Sequence, residues 1–229
     1  METYVKGSTA KNRPQENTTN LTRRALLQNA LLIRALVGAA VGSRLSSFAR
    51  AASQESGRRP SLSRQFARWV AALRYDDLPP TVVDRIKGLT LHNLASALIG
   101  AQTPAGRQAL ALVAEEAGVR SGGSTLVAGT RVTIGGAAFA NAEMVLAGGK
   151  WDTFRMLTHP GTSIIPAALV AAETAGASGQ ELIVGLATGY EVMERMAADF
   201  IPTVMARGFH AGPVFGIFGA AVAAAKIMR

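Results

Sequence analysis

The sequence predicts a mainly α-helical protein, and three observations carry that prediction. Aromatic residues make up only 6% of the chain while Ala, Leu, Val and Gly dominate, a composition that suits closely packed helices better than a sandwich rich in Tyr, Trp and Thr. Apolar residues recur at helical spacing from about residue 62 onward, and Gly, Pro and Ser/Thr punctuate those runs where helices should start and stop. With 48% apolar residues over 229 positions there is ample material for a core.

The elements follow in order. Ser61 or Ser63 caps a first helix whose apolar positions Phe66, Trp69, Val70 and Leu73 fall on one face. Leu78-Pro79-Pro80 ends that unit, and a second helix runs from about Thr81 to Ile99, closed by Gly100. A third spans about Gly106 to Ala117, with Gly118 as terminator. The loop at Ser121–Ser124 leads into Thr125–Ala128 and Arg131–Ile134, two runs that read as short extended segments around Gly129-Thr130 or as loop. A helix from about Gly136 to Leu146 and an irregular stretch from Gly148 to Thr158 come next. Three apolar helices then cover roughly Thr162–Ala175, Gly179–Ala198 and Pro213–Met228. The last carries Gly212, Gly216 and Ala220 at four-residue spacing, a pattern that lets helix backbones approach closely.

The net charge of +9 is unevenly placed. Residues 1–51 hold eight Lys/Arg against Glu2 and Glu16, so most of the excess lies there, and no basic run is interleaved with aromatics. Nucleic-acid binding is therefore not expected. Thr22-Arg23-Arg24-Ala25-Leu26-Leu27, the apolar run to Val41 and Ala49-Arg50-Ala51 look like a twin-arginine export signal directing the chain to the periplasm. Arg34 interrupts the apolar part, so a mitochondrial transit peptide, or a basic tail on a cytoplasmic protein, are the alternatives. The organisation is then a leader over 1–52, a polar linker over 53–61 and a helical domain over 62–229. No apolar run reaches the roughly 20 residues of a membrane span. The absence of cysteine excludes disulfides, thiolate nucleophiles and cysteine-ligated metals.

Only three histidines are present, and two of them precede helices: His159 in Thr158-His159-Pro160-Gly161 and His210 in Phe209-His210-Ala211-Gly212. A helix start presents unpaired N–H groups and the positive end of the helix dipole, which favour a bound carboxylate. An imidazole takes and gives a proton near neutrality, so His159 and His210 suit a general acid/base pair. Asp152 could orient one imidazole, and Thr153, Arg155 or Arg207 could hold substrate oxygens. Spacing alone leaves a polar loop role open for both histidines. His92, between Leu91 and Leu94, reads as a core or surface histidine, and Glu191 and Glu194 beside Arg195 read as a solvated face. No His-x-x-x-His or His-x-x-Glu pair supports a metal site, and Gly135-Gly136 and Gly148-Gly149 lack the strand-then-helix context of a dinucleotide loop.

Several segments together carry a resemblance: Leu73-Arg74-Tyr75-Asp76-Asp77-Leu78-Pro79, Ala140-Asn141, Asp152-Thr153, His159-Pro160-Gly161, Pro166-Ala167-Ala168-Leu169, Gly189-Tyr190-Glu191-Val192 and Arg207-Gly208-Phe209-His210. In this order and spacing the stretch from about Leu62 to Arg229 resembles the amino-terminal, all-helical part of the MmgE/PrpD family, which includes 2-methylcitrate dehydratase and cis-aconitate decarboxylase. The resemblance implies a lyase that removes water or carbon dioxide from a small di- or tricarboxylic acid, with no cofactor. It places His159 and His210 at the family's two amino-terminal active-site histidines. It also implies homodimer formation through this domain, and that a smaller α/β lid with a catalytic lysine follows in relatives. The chain is then read as a truncated or split product, and a separate chain is one candidate source of the missing lid half.

Four positions depart from the family pattern. Gly149 and Trp151 replace acidic residues of the Asp-x-Asp-Asp-Thr segment, Leu146 replaces a preceding histidine, and His92 replaces an aspartate. The loss at Gly149 implies either a different substrate or no activity. The competing expectation is a catalytically inactive helical module for dimerisation or carboxylate binding.

Overall fold

The computed structural model describes residues 60–155 and 157–229. The leader expected over 1–52, and the linker up to residue 59, lie outside the described residues. Residues 61–229 form one unit of eight helices and a two-stranded hairpin.

Helix α1 (Leu62–Ala72) starts at Ser61, whose Oγ accepts from Arg64 N. A single 3₁₀ turn, Tyr75–Asp77, follows, held by Asp77 Oδ2 accepting from Arg74 N at 2.8 Å. Pro79-Pro80 opens α2 (Pro80–Gly100), since proline at the first helical position forfeits only an N–H that has no intrahelical acceptor. Helix α3 (Pro104–Ala114) begins two residues earlier than the expected Gly106, because Thr103 Oγ1 caps Gly106 N at 3.1 Å and Pro104 again fits the first turn. It also ends earlier, passing through looser turns to Gly118, whose φ is +90°.

Of the two runs only Arg131–Ile134 contains a strand: β2 (Arg131–Val132) pairs antiparallel with β1 (Gly123–Ser124), which lies in the stretch expected as loop, while Leu126–Ala128 of the other run form the turn between them. Asn141 pins this hairpin: its Oδ1 accepts from Leu126 N at 2.6 Å and its Nδ2 donates to Ser124 O at 3.0 Å. The Ala140-Asn141 motif thus has a structural use in this chain.

Helix α4 (Ile134–Ala147) is capped by Thr133, and α5 (Gly161–Ala175) ends on left-handed Gly176. A capping box between Ser178 and Glu181 starts α6 (Gly179–Ala197). A short helix α7 (Ile201–Ala206), which periodicity did not reveal, precedes α8 (Ala211–Ile227). Six residues are too few to show a helical period, and Pro202 masks the start.

Helix α8 lies against α6 and α5, while α4 packs between α2, α3 and α5. The main core joins Ile164, Ile165 and Ala168 of α5, Leu186, Tyr190 and Met193 of α6, and Phe215, Ala223 and Ile227 of α8. The small-residue stripe on α8 allows close approach to α5 at Gly216, where a Cβ would lie 2.7 Å from Ser163 Oγ. The backbone approach to α6 is made by Gly219 and Gly189: a Cβ on Gly189 would lie 2.7 Å from Gly219 O. Gly212, Gly216 and Ala220 also line a cleft. Among the described residues no helix is long and apolar enough to cross a membrane.

Candidate functional site

The segment between α4 and α5 is irregular in sequence but tightly tied. Ser96 Oγ donates to Val145 O at 2.9 Å and accepts from Lys150 N at 3.2 Å. Phe154 and Thr158 bridge in antiparallel fashion, with Phe154 N donating to Thr158 O at 3.0 Å and Thr158 Oγ1 to Phe154 O at 2.6 Å. This closes the loop so that Asp152 and His159 lie side by side at the start of α5.

Asp152 does not orient the imidazole with its carboxylate, as its residue type suggested. Its carboxylate accepts from Gly161 N at 3.1 Å to each oxygen, from Tyr190 Oη at 2.8 Å and from Asn93 Nδ2 at 3.3 Å. It thereby caps α5 and links it to α6 and α2. The main-chain carbonyl of Asp152 is what meets His159, whose Nδ1 lies 3.0 Å away. A carbonyl oxygen can only accept, so Nδ1 carries the proton of the neutral ring and Nε2 is left as the basic nitrogen. Thr153 Oγ1 lies 3.3 Å from the same Nδ1 and shares in this contact.

His210 is the N-cap residue of α8, and its ring centroid lies 6.4 Å from that of His159. Both histidines line a cleft of 440 Å³. The rest of its lining is mainly apolar, with Phe139, Ala142 and Leu146 of α4 and Ile217 of α8, and with Glu143 as the carboxylate of the lining. Gly212 and Gly216 keep the α8 side low: a Cβ on Gly216 would lie 2.7 Å from Ser163 Oγ. The cleft therefore brings two imidazoles and the start of α8 together with hydrocarbon, while the first N–H of α5 is already held by the Asp152 carboxylate. That arrangement suits a carboxylate held beside a carbon from which a proton is removed.

The two arginines are placed elsewhere. Arg155, at φ +43°, donates from Nη1 to Ala198 O at 3.1 Å and stacks its guanidinium over Phe154, so it ties the loop to the end of α6. Arg207 follows α7 as an exposed C-cap residue outside the cleft lining. Neither position is among the residues that line the histidine cleft, a placement that a linear sequence does not show. His92 is exposed on α2 and lines a hollow of 420 Å³ with Trp151, Asp152 and Arg85.

The expected solvated face of α6 also needs correction. Glu191 pairs with Arg195, but Glu194 turns inward and lines a 760 Å³ cleft with Arg85, Asp152, Thr153 and Tyr190. Burial, then the neighbouring charges of Glu191 and Asp152, push the Glu194 carboxyl up to about 7. Burial, and next to it Asp152, raise the Tyr190 phenol well above its usual range, so it stays a donor.

Three participants were missed in the sequence. Trp151 packs its ring 4.6 Å from that of His159 at 51° and donates Nε1 to Leu146 O at 2.9 Å. Two of the departures from the family pattern, Leu146 and Trp151, are thus bonded neighbours beside the histidine. Tyr190 lay within the Gly189-Tyr190-Glu191 segment, a usable signal, whereas nothing local marks Asn93.

The model of the MmgE/PrpD N-terminal domain matches residues 64–229. Among curated proteins, the chain is 28% identical over 180 residues to the cis-aconitate decarboxylase-like protein oryM of Aspergillus oryzae, covering 73% of this chain and 36% of that protein. It is 25% identical over 186 residues to cis-aconitate decarboxylase of Aspergillus terreus, covering 77% of this chain and 37% of the relative. The chain thus spans little more than a third of the length of these relatives. No solved structure matches it significantly.

Proposed function

Because the chain belongs to the MmgE/PrpD family through its N-terminal domain, we propose that it carries the histidine-bearing part of a lyase site for a small carboxylic acid. The observation that supports this reading is the placement of His159 and His210 at the starts of α5 and α8, with ring centroids 6.4 Å apart in one cleft. In this reading a substrate carboxylate rests against the first-turn N–H groups of α8, since Asp152 already caps α5, and its hydrocarbon part faces Phe139, Leu146 and Ile217.

In a dehydration, His159 Nε2 takes the proton from the carbon beside the carboxylate, and His210 protonates the departing hydroxyl. The C–H and C–O bonds break, a C=C bond forms and water leaves. In a decarboxylation, the C–C bond to the lost carboxylate breaks instead, carbon dioxide leaves and an imidazolium returns a proton to carbon. Neither route changes oxidation state across protein and substrate, so no redox partner is required. Homodimer formation and completion of the site by residues beyond this domain belong to the same proposal.

The test is turnover of cis-aconitate by the full chain, followed by NMR of substrate and product. His159→Gln or His210→Gln should lower the rate by about 10²-fold or more, the usual contribution of a positioned acid or base. A second reading, carboxylate binding without turnover, is favoured by Gly149. This residue sits at φ +68° with open space where a side chain would be, and supplies no carboxylate at the family's acidic position. Saturable binding with no turnover supports that reading. Absence of both overturns the two together.

A further inference from the structure

We propose that Tyr190 is a positioning residue for His159, acting through Asp152 to hold the imidazole in the tautomer that presents a basic Nε2 to the cleft. The inference rests on the reading of His159 as the base. It adds a residue on a different helix, facing a different cleft, that no motif of the histidine segment contains.

Asp152 is joined to its surroundings in two ways. Its main-chain carbonyl faces His159 Nδ1 at 3.0 Å. Its carboxylate is anchored to three elements: Gly161 N of α5, Tyr190 Oη of α6 at 2.8 Å and Asn93 Nδ2 of α2 at 3.3 Å. A carboxylate held by several donors fixes the peptide that follows it, and here that peptide's carbonyl is the one His159 reads. Tyr190 makes the shortest of these bonds, and it alone ties Asp152 to α6, the helix packed most extensively on α8 and hence on His210. The tyrosine is 6% exposed, so water does not readily replace its hydroxyl.

The packing around Gly161 tightens the same junction. A Cβ there would lie 2.6 Å from Asp152 Oδ1 and would also strike Asn93 Nδ2, so the three groups leave no slack. Asn93 is fully buried and also donates to Leu89 O at 2.9 Å, which holds its amide in one orientation. Thr153 Oγ1, at 3.3 Å from His159 Nδ1, competes weakly for the same proton. With the Asp152 peptide released, that proton is free to leave Nδ1, because a hydroxyl can donate as well as accept.

The experiment is ¹⁵N NMR of the full chain with labelled histidine, at a pH well above the ordinary histidine value of about 6.5 so that the rings are neutral. With three histidines in the chain the spectrum assigns readily, and His92 and His210 serve as internal references. In the unaltered protein His159 should show Nδ1–H. In Tyr190→Phe it should become a mixture dominated by Nε2–H, while His210 stays unchanged and circular dichroism shows the helices intact. An unchanged Nδ1–H signature in Tyr190→Phe overturns the proposal. If that variant fails to fold, Asp152→Ala is the substitute: it keeps the main-chain carbonyl but removes the carboxylate that Tyr190 holds, and should shift His159 alike. Retention of Nδ1–H there is equally fatal. The tautomer is read without substrate, so failure of the lyase reading would appear as lost turnover with this signature intact.

Discussion

Replacing Asp152 with alanine should destabilise the domain by about 2–4 kcal/mol, and the structure says where each part arises. The carboxylate accepts from Gly161 N at the start of α5, and loss of an N-terminal cap costs roughly 1 kcal/mol. Tyr190 Oη, buried and bonded at 2.8 Å, loses its acceptor, which adds about 1–3 kcal/mol for an unsatisfied buried polar group. Asn93 Nδ2 keeps Leu89 O and contributes little. Relief of the repulsion between Asp152 and Glu194 offsets part of the loss. Urea unfolding followed by far-UV circular dichroism measures the change, and Asp152→Asn should recover a substantial part because its amide oxygen still accepts. A loss under about 1 kcal/mol for the alanine variant would refute the view of this carboxylate as the junction of α2, α5 and α6.

Three further outcomes are expected. Glu194 is raised from 4.5 to about 7 in the folded chain, so between those values the folded state binds the extra proton and stability falls as pH rises. Glu194→Gln should flatten that slope and be more stable than the unaltered chain above neutrality, as thermal melts across the range would report. Gly189→Ala places a Cβ 2.7 Å from Gly219 O and should cost about 1–3 kcal/mol, seen as a lowered melting temperature. Gly88→Ala, within α2 with open space around it, should raise stability by roughly 0.5–1 kcal/mol.

The helices were legible in the sequence because their signals are local. Ser61, Thr103, Thr133 and Ser178 cap the turns that follow them, Pro80 and Pro104 sit where a missing N–H is harmless, and Gly176 supplies the left-handed stop. The histidines were legible for the same reason: a helix start can be read from its neighbours, and His159 and His210 stand at two of them.

What the sequence by itself determined is therefore the set of longer helices, their ends to within a few residues, and the two histidines placed at helix starts, but not the six-residue α7. Tertiary structure alone decided which groups meet. Asn93 reaches Asp152 across 59 positions and Tyr190 across 38, and separations of that size follow no helical or strand period. The same packing carried Arg155 to the end of α6, turned Glu194 inward and set Trp151 against His159. Periodicity tells which face of a helix is apolar, but the partner of a polar side chain is chosen by how helices stack, and that choice is made only when α2, α5 and α6 close on one another.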